Sequence, residues 1–281
     1  MKEEFFTVIN CPLCGAKHHA IKYVKKFMQY DYKIVQCNSC NLVFVNPQPD
    51  ATLLERIYSD DYFKSEKATR IGYTDYFGKE REYRQEAGKR NLELVEKHHT
   101  KREESTLLDI GCAGGFFLEV ARNKEWIVKG IEISDYAAQF ARNELKLKNV
   151  KTGELRDGHY KNNEFDVITM FDVIEHILEP IAEMKEISRI MKTGGILVMD
   201  TPNIESDTAC KQGENFWLLK ADHLIYFSPE TMTKLLTESG FTVIEISKRL
   251  VSKWDQAIKL FPGTKEGSHL TVVARKDIGN K

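Results

Sequence analysis

The chain changes its hydrophobic rhythm along its length. In the second half, short apolar runs at 107–110, 127–133, 165–171, 195–200, 241–247 and 269–274 read as strands. Segments 115–123, 135–145, 180–191 and 229–239 lie between them and carry apolar residues at helical spacing. Ser228-Pro229 offers an N-cap followed by a first-turn proline, and Thr193-Gly194-Gly195 reads as a helix stop. Strands alternating with helices predict a mostly parallel sheet covered on both faces. Residues 249–268 join the last two strands and contain Pro262, with room for a turn or two of helix over 254–261. No crossover helix is evident there, so the final strand is expected to run antiparallel. Residues 50–104 are rich in charge and tyrosine, with helical spacing over 73–98. They read as a helical connector with a solvated face, or as a lid. The first forty residues hold four cysteines, and an apolar run at 42–45 exits through Pro47 and Pro49. The expected division is therefore 1–49, 50–104 and 105–281.

Composition narrows the function classes. Hydrophobic residues make up 42% and charged residues 30% of 281, enough for a core and too apolar for wholesale disorder. A formal net charge of -1 gives no global field to hold nucleic acid or an anionic membrane. No apolar stretch approaches the ~20 residues of a membrane span, and the N-terminus lacks the pattern of a secretory signal. A soluble, cytoplasmic protein is expected, whose six cysteines stay reduced.

Cys11-Pro-Leu-Cys14 and Cys37-Asn-Ser-Cys40 are two C-x2-C knuckles with 22 residues between them. Two intervening residues let one tight turn present both thiolates to a single tetrahedral ion. The four cysteines are expected to form a closed, structural zinc site, and Gly15 suits the left-handed position after the first knuckle. His18 and His19 are then surplus and expected at the surface. Lysines and aromatics around the knuckles could grip single-stranded RNA by charge and stacking. They equally suit the surface and small core of a zinc module.

Leu107-Leu108-Asp109-Ile110-Gly111-Cys112-Ala113-Gly114-Gly115 is a strand running into a glycine turn before a helix. Such a loop brings backbone and helix N-terminus close to a ligand. Glu132 ends the next strand, 23 residues after Asp109, where a carboxylate can accept from both ribose hydroxyls. A dinucleotide fingerprint would need glycine at 113 and 116, and the chain has Ala113 and Phe116. Asp109, two residues ahead of the first glycine, suits an ammonium better than a pyrophosphate.

With these motifs the chain resembles the class I S-adenosylmethionine-dependent methyltransferases, whose first motif reads roughly D-x-G-C-G-x-G. Further matches are Gly130-Ile-Glu132-Ile-Ser134, Gly153-Glu154-Leu155, the run from Phe165 through Asp172 to Glu175-His176, and Met191-Lys-Thr-Gly194-Gly195. The resemblance covers about residues 70–275. It implies a Rossmann-like seven-stranded sheet with an antiparallel last strand, beside the small N-terminal zinc ribbon. It also implies roles. Asp109 and Gly111, with Ala113 and Gly115 completing the loop, would lie near the methionine portion. Glu132 would hold the ribose, Ile133 would pack on adenine, Glu154 and Leu155 would face the adenine edge, and Phe171 would lie beside the sulfonium. The glycines could instead be plain turn residues and Ile133 plain core, and Cys112 reads as packing.

Methyl transfer from a sulfonium needs alignment, and a base only where the acceptor must lose a proton. His176, beyond the fourth strand with Asp172 and Glu175 as neighbours, and His223, in a His-Leu-x-x-Phe-Ser-Pro run, are candidate bases. Both have a structural reading as well. Trp217 and Tyr226 could line an acceptor pocket. The expected function is methyl transfer to oxygen, nitrogen or carbon of a small-molecule or carbohydrate-type acceptor. An RNA methyltransferase with the zinc module as its grip is the alternative.

Overall fold

A computed structural model describes residues 5–27, 30–50, 52–54, 61–64, 75–248 and 267–277. The 254–261 helical turn and Tyr73 fall outside them, as does part of the 50–104 segment.

The main sheet has seven strands: β6 (Thr106–Ile110), β7 (Ile127–Glu132), β8 (Val150–Thr152), β9 (Phe165–Phe171), β10 (Met191–Pro202), β12 (Phe241–Ser247) and β13 (His269–Lys276), in the order β12-β13-β10-β9-β6-β7-β8. The pairs from β8 through β10 are parallel, and β13 runs antiparallel to both of its neighbours. Leu107, Leu108, Val167, Ile168, Leu197 and Val198 are fully buried at its centre. A strand covered on both faces must be apolar at consecutive positions, as these pairs are. Each such side chain contributes about 1.5–3 kcal/mol on burial. Strand order reverses at β6, which lies between β7 and β9, so a crevice opens where their carboxyl ends diverge.

Three boundaries differ from the sequence pattern. β8 has no counterpart in the hydrophobic pattern, because three residues, two of them exposed and polar, carry no periodicity. The helix expected from residue 73 starts at Arg81 (Arg81–His98), after a turn in which Asp75 Oδ1 accepts from the Gly78 N–H at 2.9 Å. Helix Pro180–Ile190 ends before its glycines: Met191 already pairs with Phe165, and the register then shifts before Ile196. Gly194, at φ +76°, lies in that irregularity.

The N-terminal module holds a second sheet, beside a short antiparallel pair of β1 (Phe6–Thr7) with β5 (Gln48–Pro49). β2 (His19–Phe27) and β3 (Tyr30–Cys37) form a hairpin, and β4 (Val43–Val45) lies beside β3. Its fourth strand, β11 (Ile225–Tyr226), comes from the far half of the chain and pairs antiparallel with β4. Val45 N–H also donates to the Leu224 carbonyl at 2.8 Å. Cys11, Cys37, Leu42 and Phe44 share one continuous core with Leu108, Leu197 and Phe227 of the main domain. His19 is half-buried, not at the surface: its ring packs edge-on to Phe44, and Nε2 lies 3.0 Å from Asn46 Nδ2. Among the described residues, no helix is long and apolar enough to cross a membrane.

Candidate active site

The glycine loop leaves β6 in left-handed backbone. Gly111, Ala113 and Gly115 have φ of +67°, +46° and +80°. Gly111 needs its missing side chain twice over, because a Cβ there would also come 2.5 Å from Val173. Ala113 pays for a Cβ in the same region, about 1 kcal/mol. Gly115 caps helix Phe116–Asn123. Cys112 is buried beneath Gly130, a packing position; burial, then the charges of Asp109 and Glu132, push its thiol well up.

Two carboxylates flank this loop. Glu132 Oε2 accepts from Ala113 N–H and Oε1 from Ser134 N–H, both at 2.8 Å, which fixes the group at the end of β7. Each oxygen keeps a lone pair for a further donor. Burial raises the Glu132 pKa against these bonds. Asp109 is 4% exposed and accepts from Thr169 Oγ1 at 2.7 Å. Burial pushes it up to about 7, opposed by the Thr169 bond and aided by the Glu132 charge. A cationic ligand group would relieve both. Next to Glu132, Ile133 is 46% exposed, an uncovered apolar face beside a polar anchor.

The other nominated positions lie round the same edge. Glu154 is ion-paired to Arg156 at 2.6 Å, and its N–H donates to Asp157 Oδ2. The Leu155 side chain is buried in the core, so only its backbone can face a ligand. Phe171 is half-buried at the end of β9, edge-on to Phe117. From the connector, Phe77 stacks on Phe140 at 4.2 Å and covers Gly114, where a Cβ would come 2.7 Å from its ring.

At the carboxyl ends of β9 and β10 lies a dense polar cluster. The His176 and His223 rings meet edge to face, centroids 4.8 Å apart. His176 Nδ1 donates to the Asp222 carbonyl at 2.7 Å. Glu175 is 1% exposed, and its Oε2 accepts from Thr201 Oγ1 at 2.9 Å. Burial, then the Asp172 charge, drive the Glu175 pKa well up; burial, then His176, drive His223 well down. Beside them, His269 Nε2 lies 3.4 Å from Asp172 Oδ1, while Asp200 Oδ2 accepts from Thr271 Oγ1. Burial opposes ionisation of Asp172, but the His269 bond and charge bring its pKa down. Trp217 stands over His269, ring centroids 6.4 Å apart, and Tyr226 is buried with its hydroxyl on the Lys220 carbonyl. His269 on β13 and the adjacent Asp200 and Thr201 on β10 carry no sequence signal, since only the sheet brings these two strands together.

In the N-terminal module, Cys11 and Cys40 sulfurs lie 3.5 Å apart and those of Cys14 and Cys37 3.6 Å. All four fall within 4.8 Å of one another and none is in a disulfide. A tetrahedral ion with 2.3 Å arms holds its sulfurs roughly 3.8 Å apart. The thiols therefore fit one such ion. Gly15 has φ +73° after the first knuckle. Burial raises the Cys11 pKa; it opposes ionisation of Cys37 too, but the Ser39 and Cys40 backbone and the neighbouring thiols bring that group to about 7.

Sheet order, glycine loop and acidic strand end define a class I S-adenosylmethionine-dependent methyltransferase fold. Residues 80–246 match a family described as a methyltransferase domain, and the chain belongs to that family. It is similar to the ubiquinone biosynthesis O-methyltransferase of Alkalilimnicola ehrlichii, 28% identical over 131 residues, covering 44% of this chain and 50% of that protein. The enzyme of the same name from Neisseria meningitidis serogroup C is 26% identical over 148 residues, covering 50% and 59%. The chain thus spans about half the length of the curated relatives it matches. Among solved structures, it shares its fold with a SAM-dependent methyltransferase from Archaeoglobus fulgidus (TM-score 0.55, 20% identity, 72% and 99% coverage). It also resembles a structure described as a complex of the Haloferax volcanii Trm112 methyltransferase activator with a putative methyltransferase (TM-score 0.56, 16% identity, 71% and 95%).

Proposed function

We propose that this chain transfers a methyl group from S-adenosylmethionine to a small-molecule acceptor, with an oxygen acceptor favoured. The observation that carries this reading is Glu132, locked at the end of β7 between the Ala113 and Ser134 amides, beside the uncovered Ile133. That pairing suits a ribose and an adenine. Asp109 and the turn from Gly111 through Ala113 to Gly115 take the methionine portion, Glu154 and the Leu155 backbone the adenine edge, and Phe171 the sulfonium end. Held by these residues, S-adenosylmethionine would supply an activated methyl group for transfer to an acceptor lone pair. The chain's own task is to align the acceptor and accommodate the proton a hydroxyl loses. His176, His223 and Glu175 stand at the same edge of the sheet and are the groups for that task. The O-methyltransferase names of the relatives support oxygen.

Cys11, Cys14, Cys37 and Cys40 hold one structural zinc in this reading, in keeping with a reducing, cytoplasmic setting. The same reading divides the chain into 1–49, 50–104 and 105–281, with β11 completing the sheet of the first unit. An RNA acceptor stands second. The exposed Ile21 and Val24 of β2 and its lysines are its support, although Lys25 is already tied to the Glu214 carbonyl.

Titration calorimetry with S-adenosylmethionine and S-adenosylhomocysteine tests the reading. Micromolar binding is expected for the wild type and is lost in Glu132→Ala. No binding by folded, zinc-loaded wild type would overturn it. A panel of catechol and phenol acceptors then asks for methyl transfer to oxygen.

A further inference from the structure

We infer that a cavity at the amino ends of β7 and β8 binds a small organic anion, a carboxylate carried on an apolar body about the size of a fused ring pair. The cavity measures 310 Å³, at the small end of the range for small-molecule sites. It lies between helix Phe116–Asn123, the first residues of β7 and the turn leading into β8. β7 passes from this cavity, at 127–129, to Glu132 at its other end. The cavity and the glycine-loop crevice therefore stand at opposite ends of the same strand.

The floor is apolar and already in place. Leu118, Trp126, Leu147 and Val150 line the cavity and are otherwise buried in the core. They are held from behind. Leu118 and Val150 press on Gly130, where a Cβ would come 2.7 and 3.2 Å from them, and Leu147 presses on Gly115, where a Cβ would come 2.6 Å away. Trp126 Nε1 donates to Glu96 Oε1 at 3.3 Å, and Val150 N–H closes the turn on the Leu147 carbonyl at 3.2 Å. Covering such a wall with an apolar body releases its water and is favourable; a flat ring matches the indole best.

The rim has one sign. Arg122, Lys129, Lys146 and Lys148 line the same space, and none of the lining residues is acidic. The chain as a whole carries a net charge of only -1, so the surplus is local. Lys129 is ion-paired to Glu164. Arg122, Lys146 and Lys148 have no ion pair among the described residues. Arg122 gives one of its five N–H donors to the Leu145 carbonyl, which fixes the guanidinium and leaves its planar fork for a carboxylate. A bare inorganic anion would leave the floor uncovered, and a neutral ring would leave the rim unanswered. The inference does not rest on the methyl-transfer reading, whose crevice carries the opposite charge in Asp109 and Glu132.

Calorimetry of the full chain with naphthoate tests the site, with naphthylmethanol as the neutral body and acetate as the bare anion. Naphthoate is expected to bind with a submillimolar Kd, and the other two at least about tenfold more weakly. Lys146→Glu with Lys148→Glu, both exposed positions, should weaken naphthoate by about tenfold. Lys17→Glu with Lys33→Glu makes the same change in net charge on the N-terminal module and should leave binding as it is. Saturating S-adenosylhomocysteine should not displace naphthoate. Absence of naphthoate binding by folded wild type overturns the inference, as does a neutral alcohol that binds equally well. Equal weakening by both double variants would reduce the effect to net charge, and displacement by S-adenosylhomocysteine would put the anion in the crevice; either result also overturns it.

Discussion

Replacing Asp109 by asparagine should make the ligand-free protein more stable and the cofactor site worse. The carboxyl group is 4% exposed, faces the Glu132 charge, and has the Thr169 hydroxyl as a hydrogen-bond donor. Burial raises its pKa from 3.8 to about 7. Between those values the native state keeps a proton that the unfolded chain has released, so the unfolding free energy falls as pH rises. The effect is absent below about pH 4 and complete above about pH 7. Three units correspond to about 4 kcal/mol. Asparagine keeps the shape and can still accept from Thr169, but carries no charge. Urea unfolding of wild type and variant across this range isolates the group, because other raised carboxyls such as Glu183, pushed to about 7 by burial, slope both curves alike. The variant should gain on the wild type as pH rises, by up to about 4 kcal/mol at pH 8. Its affinity for S-adenosylmethionine should fall at the same time. A stability difference independent of pH would refute burial as the cause of the shift.

Further outcomes follow from the loop and the zinc module. Ala113→Gly should relieve the left-handed alanine and raise stability by about 0.5 kcal/mol net of unfolded-chain entropy, read by the same urea titration. Gly111→Ala should abolish cofactor binding in calorimetry, since φ +67° and the Val173 contact leave no room for a methyl group. Removing zinc with a chelator should lower the thermal midpoint and melt the main domain along with the module, because the cysteines share its core; two separate transitions in calorimetry would contradict this. If Phe77 closes on the cofactor, hydrogen exchange around 75–80 should slow when S-adenosylmethionine binds, and unchanged exchange removes the lid.

The proposed cofactor half of the site is legible in the sequence because its geometry is local. Asp109, Gly111 and Glu132 lie on one strand–turn–helix–strand unit, where spacing alone sets position. The two cysteine knuckles were legible for the same reason. The acceptor end was not. His176 and His223 could be nominated from their motifs, but Thr201 orients Glu175 from a neighbouring strand, and the Asp222 carbonyl that fixes the His176 tautomer lies 46 positions away. No periodicity encodes those relations; strand order does. β11 makes the same point structurally: two residues are too short to read as a strand, yet they carry the His223 segment onto β4 of the zinc module. That linkage gives the cysteine site a consequence beyond its own folding. Through β4 and β11 the zinc module braces the backbone on which His223 stands, and the Leu224 amide ties that backbone to Glu175. An ion held by the four cysteines at one end of this connection would therefore support the alignment of the polar groups at the other. Loss of the cysteine-bound zinc should thus disturb the acceptor end before the glycine loop, which β6 and β7 hold independently.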